Sequence, residues 1–357
     1  MLVVLERQLL FIFLRQWNKT MVGVESYGIA LPALRLPAKA YIEAWGSCGA
    51  RGMLQKAFCS YDEDAVTLAI EAARNALHRL RSEVRIEGLF FGVTSPPYDE
   101  KPSAATLPTA LFSSTEMRVT EITGSPQAGV QALLSAIEFC GSKQKGCHAL
   151  AIASDAPMGP LDAAFEHALG AAAAAFVVGP EGAVAKFNES FCVTRETYGA
   201  RFRRHGEAVL SDLELRTRDN LASLQGIGRA LAKAKVGNIK RLALGADSGL
   251  MRGVGRALGQ TDAKIDSLWS QIGDAGSASA PFALAAALDV CRAGDTIFCA
   301  GVGAGATGAL FTAGKELAIQ RRKGAKVTDQ IAAGSSVDYL TYLKHKRVLS
   351  SRFGDAG

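Results

Sequence analysis

Along most of this chain the apolar and polar positions alternate between two periods. Short, mostly apolar runs at Val22–Tyr27, Leu89–Val93, Ala149–Ala153, Arg241–Gly245 and Thr296–Gly301 predict strands of a largely buried sheet. Helical spacing lies between them. Val66, Ile70, Ala73, Leu77 and Leu80 fall at steps of four and three, which predicts a helix with that stripe inward. Asp62, Glu63 and Asp64 stand at its start, where acidic side chains suit the helix dipole. Gln127–Phe139, Leu221–Lys235 and Pro281–Cys291 predict three more helices. Ala168–Gly179 (ALGAAAAAFVVG) runs from small residues into a strand, and Gly303–Thr312 (GAGATGALFT) echoes it. The order of elements in the first half recurs loosely in the second. This predicts a duplicated α/β fold layered helix–sheet–helix–sheet–helix, with small residues letting the buried helices approach closely. The halves are expected at 21–185 and 186–357, the second ending in a basic tail, with residues 1–20 as an extension.

That extension (MLVVLERQLLFIFLRQWNKT) is apolar but broken by Glu6, Arg7 and Arg15. Its longest clean run, Leu9–Leu14, is too short to span a bilayer, and no small-residue cleavage site follows. Met21 is the expected start; the alternative is an amphipathic helix that packs on a partner or a membrane surface. The full 357 residues allow a substantial core, and the net charge of +6 is mild and mostly scattered, which does not point to nucleic acid. Seven cysteines (Cys48, Cys59, Cys140, Cys147, Cys192, Cys291 and Cys299) show neither a CxxC pair nor a Cys/His cluster. No metal and no membrane span is expected, and a reducing cytoplasm fits.

Several segments carry a resemblance. They are Val22–Leu36, Asp62–Leu77, Gly92–Ala104, Gln271–Ala280 (QIGDAGSASA), Gly301–Leu310 and Val337–Lys344 (VDYLTYLK). In order and spacing the chain resembles the ketoacyl synthase III-type branch of the thiolase superfamily. It is most similar there to archaeal-type hydroxymethylglutaryl-CoA synthases and to the synthase-like subunit of diacetylphloroglucinol acetyltransferase-type complexes. The resemblance implies the thiolase-like five-layer αβαβα sandwich and acyl-CoA chemistry. Active members use a Cys nucleophile at a helix N-terminus, a His and an Asn that stabilise the enolate or oxyanion, and a Glu as general acid/base.

By that resemblance the nucleophile segment is Glu121–Gly129 (EITGSPQAG), and its Cys position falls on Thr123, Gly124 or Ser125. Cys140 lies at the far end of the helix, roughly 20 Å away at about 1.5 Å per residue. The Glu maps to Thr94. The His segment maps to Leu242–Arg252, around Leu244, and holds no His. The Asn maps to Asp274. A carboxylate beside a developing enolate would oppose it by roughly 4 kcal/mol at about 4 Å.

The implied role is therefore a non-catalytic, thiolase-fold subunit of a multi-subunit acyltransferase or thiolase complex. Its implied partners are a thiolase-like catalytic subunit and an OB-fold bridging protein, with homodimerisation, no required cofactor and a coenzyme A thioester as possible ligand. Two rivals stand beside it: a rewired enzyme that uses Ser125 as nucleophile or Asp274 as base, and a stand-alone acyl-CoA-binding protein. Ser125 also reads as a cap ahead of Pro126, and Asp274 as a cap for the following helix through Ser277 or its neighbours. Of the five histidines only His167 invites attention; His78, His148, His205 and His345 read as helix-end, strand-start or exposed residues. Arg201 and Arg204, in the cluster Arg195–Glu207, are candidates for the CoA phosphates. The run Gly301–Gly308 lacks a GK[ST] ending, so Gly301, Gly303 and Gly305 are expected in a turn on the site floor instead of a nucleotide loop. Aromatics alternate with Val and Leu in Val337–Lys344, which suits docking onto a sheet or a partner.

Overall fold

The computed structural model describes residues 21–143, 146–196, 201–212, 219–245 and 247–349. The extension 1–20 lies outside them. The strands in chain order are β1 (Gly23–Ala30), β2 (Leu34–Pro37), β3 (Gln55–Phe58), β4 (Ile86–Gly92), β5 (Arg118–Ile122), β6 (His148–Asp155), β7 (Ala172–Gly179), β8 (Ala185–Thr194), β9 (Arg241–Leu244), β10 (Lys264–Asp266), β11 (Thr296–Val302), β12 (Gly305–Ala313) and β13 (Ser335–Ser336). Ten of them order as β10-β9-β11-β12-β8-β1-β7-β6-β4-β5, and β13-β2-β3 form a small second sheet.

One pairing pattern occurs twice. β4 runs parallel to β5 and β6, then β6–β7 and β7–β1 are antiparallel. β9 runs parallel to β10 and β11, then β11–β12 and β12–β8 are antiparallel. The two five-strand arrays meet only at the residue pairs Gly23↔Lys186 and Val24↔Ala185 between β1 and β8.

β7 shows why its sequence is apolar throughout. Ala172, Ala174, Phe176 and Val178 join the inner core, while Ala173, Ala175 and Val177 join an outer one. The inner core is filled by two central helices, Ala128–Ser142 and Ser279–Val290, which contribute Leu133, Ile137, Phe282 and Leu284. The outer layers are helix Ala65–His78 on one side and helices Asp219–Lys233 and Ser248–Leu258 on the other. The result is the five-layer αβαβα, thiolase-like sandwich.

Helix Ala65–His78 departs from expectation in its buried face. Of the expected stripe Val66 and Ala73 are buried, together with Ala65, Leu68, Ala69, Ala72 and Ala76, whereas Ile70, Leu77 and Leu80 are only partly so. Close approach explains this. A Cβ on Gly28 of β1 would lie 2.4 Å from the Ala72 carbonyl oxygen, so only small side chains fit between strand and helix. Asp64 caps the helix by accepting from the amides of Val66 and Thr67 at 2.9 and 2.8 Å, and the acidic residues stay outside its first turn. The segment read as alternating, Val337–Lys344, instead forms helix Tyr339–His345, with Asp338 as its cap. No helix among the described residues is long and apolar enough to cross a membrane, and none of their His, Cys, Asp and Glu side chains group as a metal site.

Candidate functional site

The C-terminal ends of parallel strands and the N-terminal ends of the two central helices converge on a cavity of about 710 Å³. The β11–β12 hairpin closes one side of it, and the turn at 164–169 closes another. A depression of about 580 Å³ adjoins it and shares Asn220, Asp247, Leu250 and Arg252 with it.

Gly124 and Ser125 line the cavity ahead of helix Ala128–Ser142. Gly124 sits at φ +89°, a conformation that favours glycine. Ser125 Oγ donates to the Gly303 carbonyl at 2.9 Å and accepts from the Gln127 amide at 3.3 Å. Gln127 completes the bracing: its amide group donates to the same carbonyl, and its Oε1 accepts from Thr307 Oγ1 at 2.7 Å. The Ser125 proton is thus already committed to a backbone oxygen, and no histidine or cysteine lines the cavity among the described residues. Cys140 is buried at the other end of the helix with its thiol pKa raised by burial, so it cannot replace the nucleophile.

Asp274 lines the cavity from the second half. Its Oδ2 pairs with Arg201 Nη1 at 2.8 Å, and its Oδ1 accepts from the Gly276 amide at 2.9 Å and from Ser279 Oγ at 3.3 Å. It therefore caps the turn into helix Ser279–Val290, through Gly276 and Ser279 and not through Ser277. Ser277 belongs to another carboxylate, Asp155, which ends β6. Asp155 is fully buried and accepts five hydrogen bonds, from the amides of Thr94, Ser95 and Ser277 at 2.9, 2.7 and 2.7 Å and the hydroxyls of Thr94 and Ser95 at 2.7 and 2.6 Å.

The other expected positions divide. Arg201, Gly301 and Gly303 line the cavity. Thr94 does not: its hydroxyl serves Asp155. Leu244 is a core residue of β9, buried among Phe298 and Val254, because strand alternation turns it away from the cavity. Gly305 is packed against the Val193 carbonyl, where a Cβ would come within 2.0 Å. Arg204 is exposed and pairs with Glu207 at 3.4 Å, so it stands away from the site. His167 is buried, stacked on Tyr41 at 3.9 Å, and its Nδ1 accepts from the Gly49 amide at 3.0 Å. Its Nε2 lies 3.3 Å from Asp162 without hydrogen-bond geometry, and burial lowers its pKa, which favours the neutral ring. His345, expected to be exposed, is half-buried against Tyr61.

Sequence reasoning missed Asp155, Arg51 and Arg252. A lone carboxylate closing an apolar strand was the available signal for Asp155. Arg51 reaches the cavity from a segment that carries no motif, and Arg252 from the end of the segment matched to the family's His. With Arg201 they set three guanidinium groups against Asp212, Asp247 and Asp274, so the lining is formally balanced.

No family model matches this chain. It is 28% identical to the hydroxymethylglutaryl-CoA synthase of Pyrococcus furiosus over 347 residues, covering 91% of this chain and 96% of that one. It is 28% identical to the same enzyme of Methanobrevibacter smithii over 343 residues, covering 91% and 99%. Among solved structures, MvaS in complex with 3-hydroxy-3-methylglutaryl coenzyme A matches with a TM-score of 0.80 at 20% identity, over 94% of both chains. The curacin pathway HMG synthase in complex with holo donor-ACP matches with a TM-score of 0.77 at 19% identity, over 91% and 88%. The chain is thus similar over 91% of its length to hydroxymethylglutaryl-CoA synthases and has the fold of the solved structures it matches.

Proposed function

We propose that this protein binds an acyl thioester of coenzyme A without forming an acyl-enzyme, as the non-condensing, synthase-like subunit of an acyltransferase or thiolase complex. One observation carries the reading. Of Thr123, Gly124 and Ser125, on which the expected nucleophile position falls, Ser125 is the one whose hydroxyl lines the cavity; its proton is held by the Gly303 carbonyl, with no imidazole or thiol lining the cavity among the described residues. A serine nucleophile needs a base within hydrogen-bond reach. Asp274 is a poor substitute, because its oxygens are engaged by Arg201, Gly276 and Ser279.

The cavity and the depression beside it together have room for a thioester and its pantetheine arm, with Arg51, Arg201 and Arg252 to meet anionic groups. The similarity to hydroxymethylglutaryl-CoA synthases, and the likeness in fold to an HMG-CoA synthase complexed with CoA, support this ligand class. A thiolase-like partner would carry the cysteine, an OB-fold protein would bridge the two, and the subunit would pair with a second copy of itself in the cytoplasm. The full-length similarity to synthases also favours a second reading, an active enzyme acylated on Ser125.

Intact-protein mass spectrometry after incubation with acetyl-CoA separates the two, with Ser125→Ala as control. The expected result is no adduct, together with saturable CoA binding by calorimetry. An acetyl adduct that is lost in Ser125→Ala would replace the subunit reading with the enzyme.

A further inference from the structure

A polar cluster lies one layer behind the cavity wall and has no part in the reading above. Lys56 on β3 is 1% exposed and Glu166 is 2% exposed. Lys56 Nζ donates to Glu166 Oε1 and to its backbone oxygen, both at 2.9 Å, and to Tyr342 Oη at 3.1 Å. Tyr41 donates to Glu166 Oε2 at 2.9 Å, and Tyr342 donates to Oε1. Burial alone would raise the Glu166 pKa; the Lys56 ammonium and the two tyrosine hydroxyls outweigh it and hold the carboxyl below its usual range. A buried ion pair is tolerable only when every donor finds an acceptor, and here the ammonium has three.

The cluster joins β3, helix Ala38–Trp45, the turn at 163–169 and the C-terminal helix Tyr339–His345. That turn supplies Ala164, Phe165, Ala168 and Leu169 to the cavity wall. Its Ala168 carbonyl accepts from the Asp274 amide at 2.6 Å, and the Asp274 carbonyl accepts from the Gly170 amide at 2.9 Å. On its other side His167 accepts from Gly49, itself part of the wall. From Tyr342 to Asp274 the contacts therefore pass through one turn of backbone.

We propose that Glu166 is a positioning residue, through which docking of the C-terminal helix fixes the cavity wall at 164–170 and, with it, Asp274. The role is independent of which chemistry the cavity performs. Amide hydrogen exchange on the full-length chain, without ligand, tests it. Tyr342→Phe deletes the hydroxyl and keeps the ring against Phe58. Exchange in peptides covering 163–171 and 270–277 is expected to accelerate about tenfold, while 296–302 changes less than about twofold. Glu166→Ala should give the same pattern. Glu166→Gln, whose Oε1 still accepts from Lys56 and Tyr342 while its Nε2 donates to Tyr41 Oη, should restore protection to within about threefold. Tyr41→Phe gives a second route should Tyr342→Phe not fold. Acceleration confined to 337–349 would overturn the proposal, since the cluster would then only tether the helix. Equal acceleration throughout the molecule would overturn it too. Failure to bind CoA would count against the functional reading alone.

Discussion

Two carboxylates grip the same short turn, residues 274–279, under opposite conditions. Asp155 is fully buried and is held by five neutral donors with no cation among them. Asp274 has a side chain 37% exposed and leans on Arg201. The first has no face toward a ligand and its removal would strand several donors. The second lines the cavity and shares its charge with a guanidinium that solvent can partly screen. A charge at a site is thus no guide to its role until its partners are counted.

Substitutions can sharpen or break that contrast. Asp155→Ala should cost about 4 kcal/mol, since it orphans amides and hydroxyls on two segments at once, Thr94–Ser95 and Ser277. Urea unfolding would show it, and a loss as small as that of Asp274→Ala would break the contrast. Gly129→Ala comes next, at about 3 kcal/mol, because its Cβ would meet the Ser277 carbonyl oxygen at 2.1 Å and push on the same turn from the helix side.

The Lys56 cluster supplies a pH test. Burial pulls the Lys56 pKa down to about 8, against the pull of Glu166, with Lys346 lowering it further and Cys48 opposing. Tyr41 and Tyr342 face it as neutral hydroxyls, their own pKa values raised by burial. Above pH 8 the folded chain has released a proton that the unfolded chain keeps up to its ordinary pKa of 10.5. Stability from this group therefore rises with pH across that window. Melting curves between about pH 7.5 and 9.5, run on wild type beside Lys56→Met, should show a steeper rise in wild type, since Lys346, its pKa also lowered by burial, contributes to both. Asp274→Asn should cost only about 1 kcal/mol, as an ion pair partly open to solvent. Ser125→Ala should cost about 0.5–1 kcal/mol, the smallest effect, as one hydrogen bond at a half-buried rim.

Much of the layering was legible in the sequence because strands buried on both faces leave unbroken apolar runs, as at Ala149–Ala153. The buried face of helix Ala65–His78 was not. Large apolar residues dominate a periodicity count, yet the alanines go inward where Gly28 brings strand and helix backbones together. Tyr339–His345 misled for a related reason. Its aromatics serve the Glu166 cluster, a contact with residues far away in sequence, and local alternation carries no trace of it. At the site, Gly124, Ser125, Asp274, Arg201, Gly301 and Gly303 come together in the cavity. Thr94, Leu244, Gly305 and Arg204 do not line it, because a one-residue change of strand register or a single ion pair decides which way a side chain points.

The seam between β1 and β8 has a mechanical consequence. Only two residue pairs join the arrays there, so the strands offer little resistance to shear across that line. The load must pass through the middle ply, where helix Ala128–Ser142 meets the 276–279 turn at Gly129 and Ser277. In a laminate of this kind the bonding layer, not the sheet edge, holds the halves together, and here that layer is the inner core packed around the two central helices.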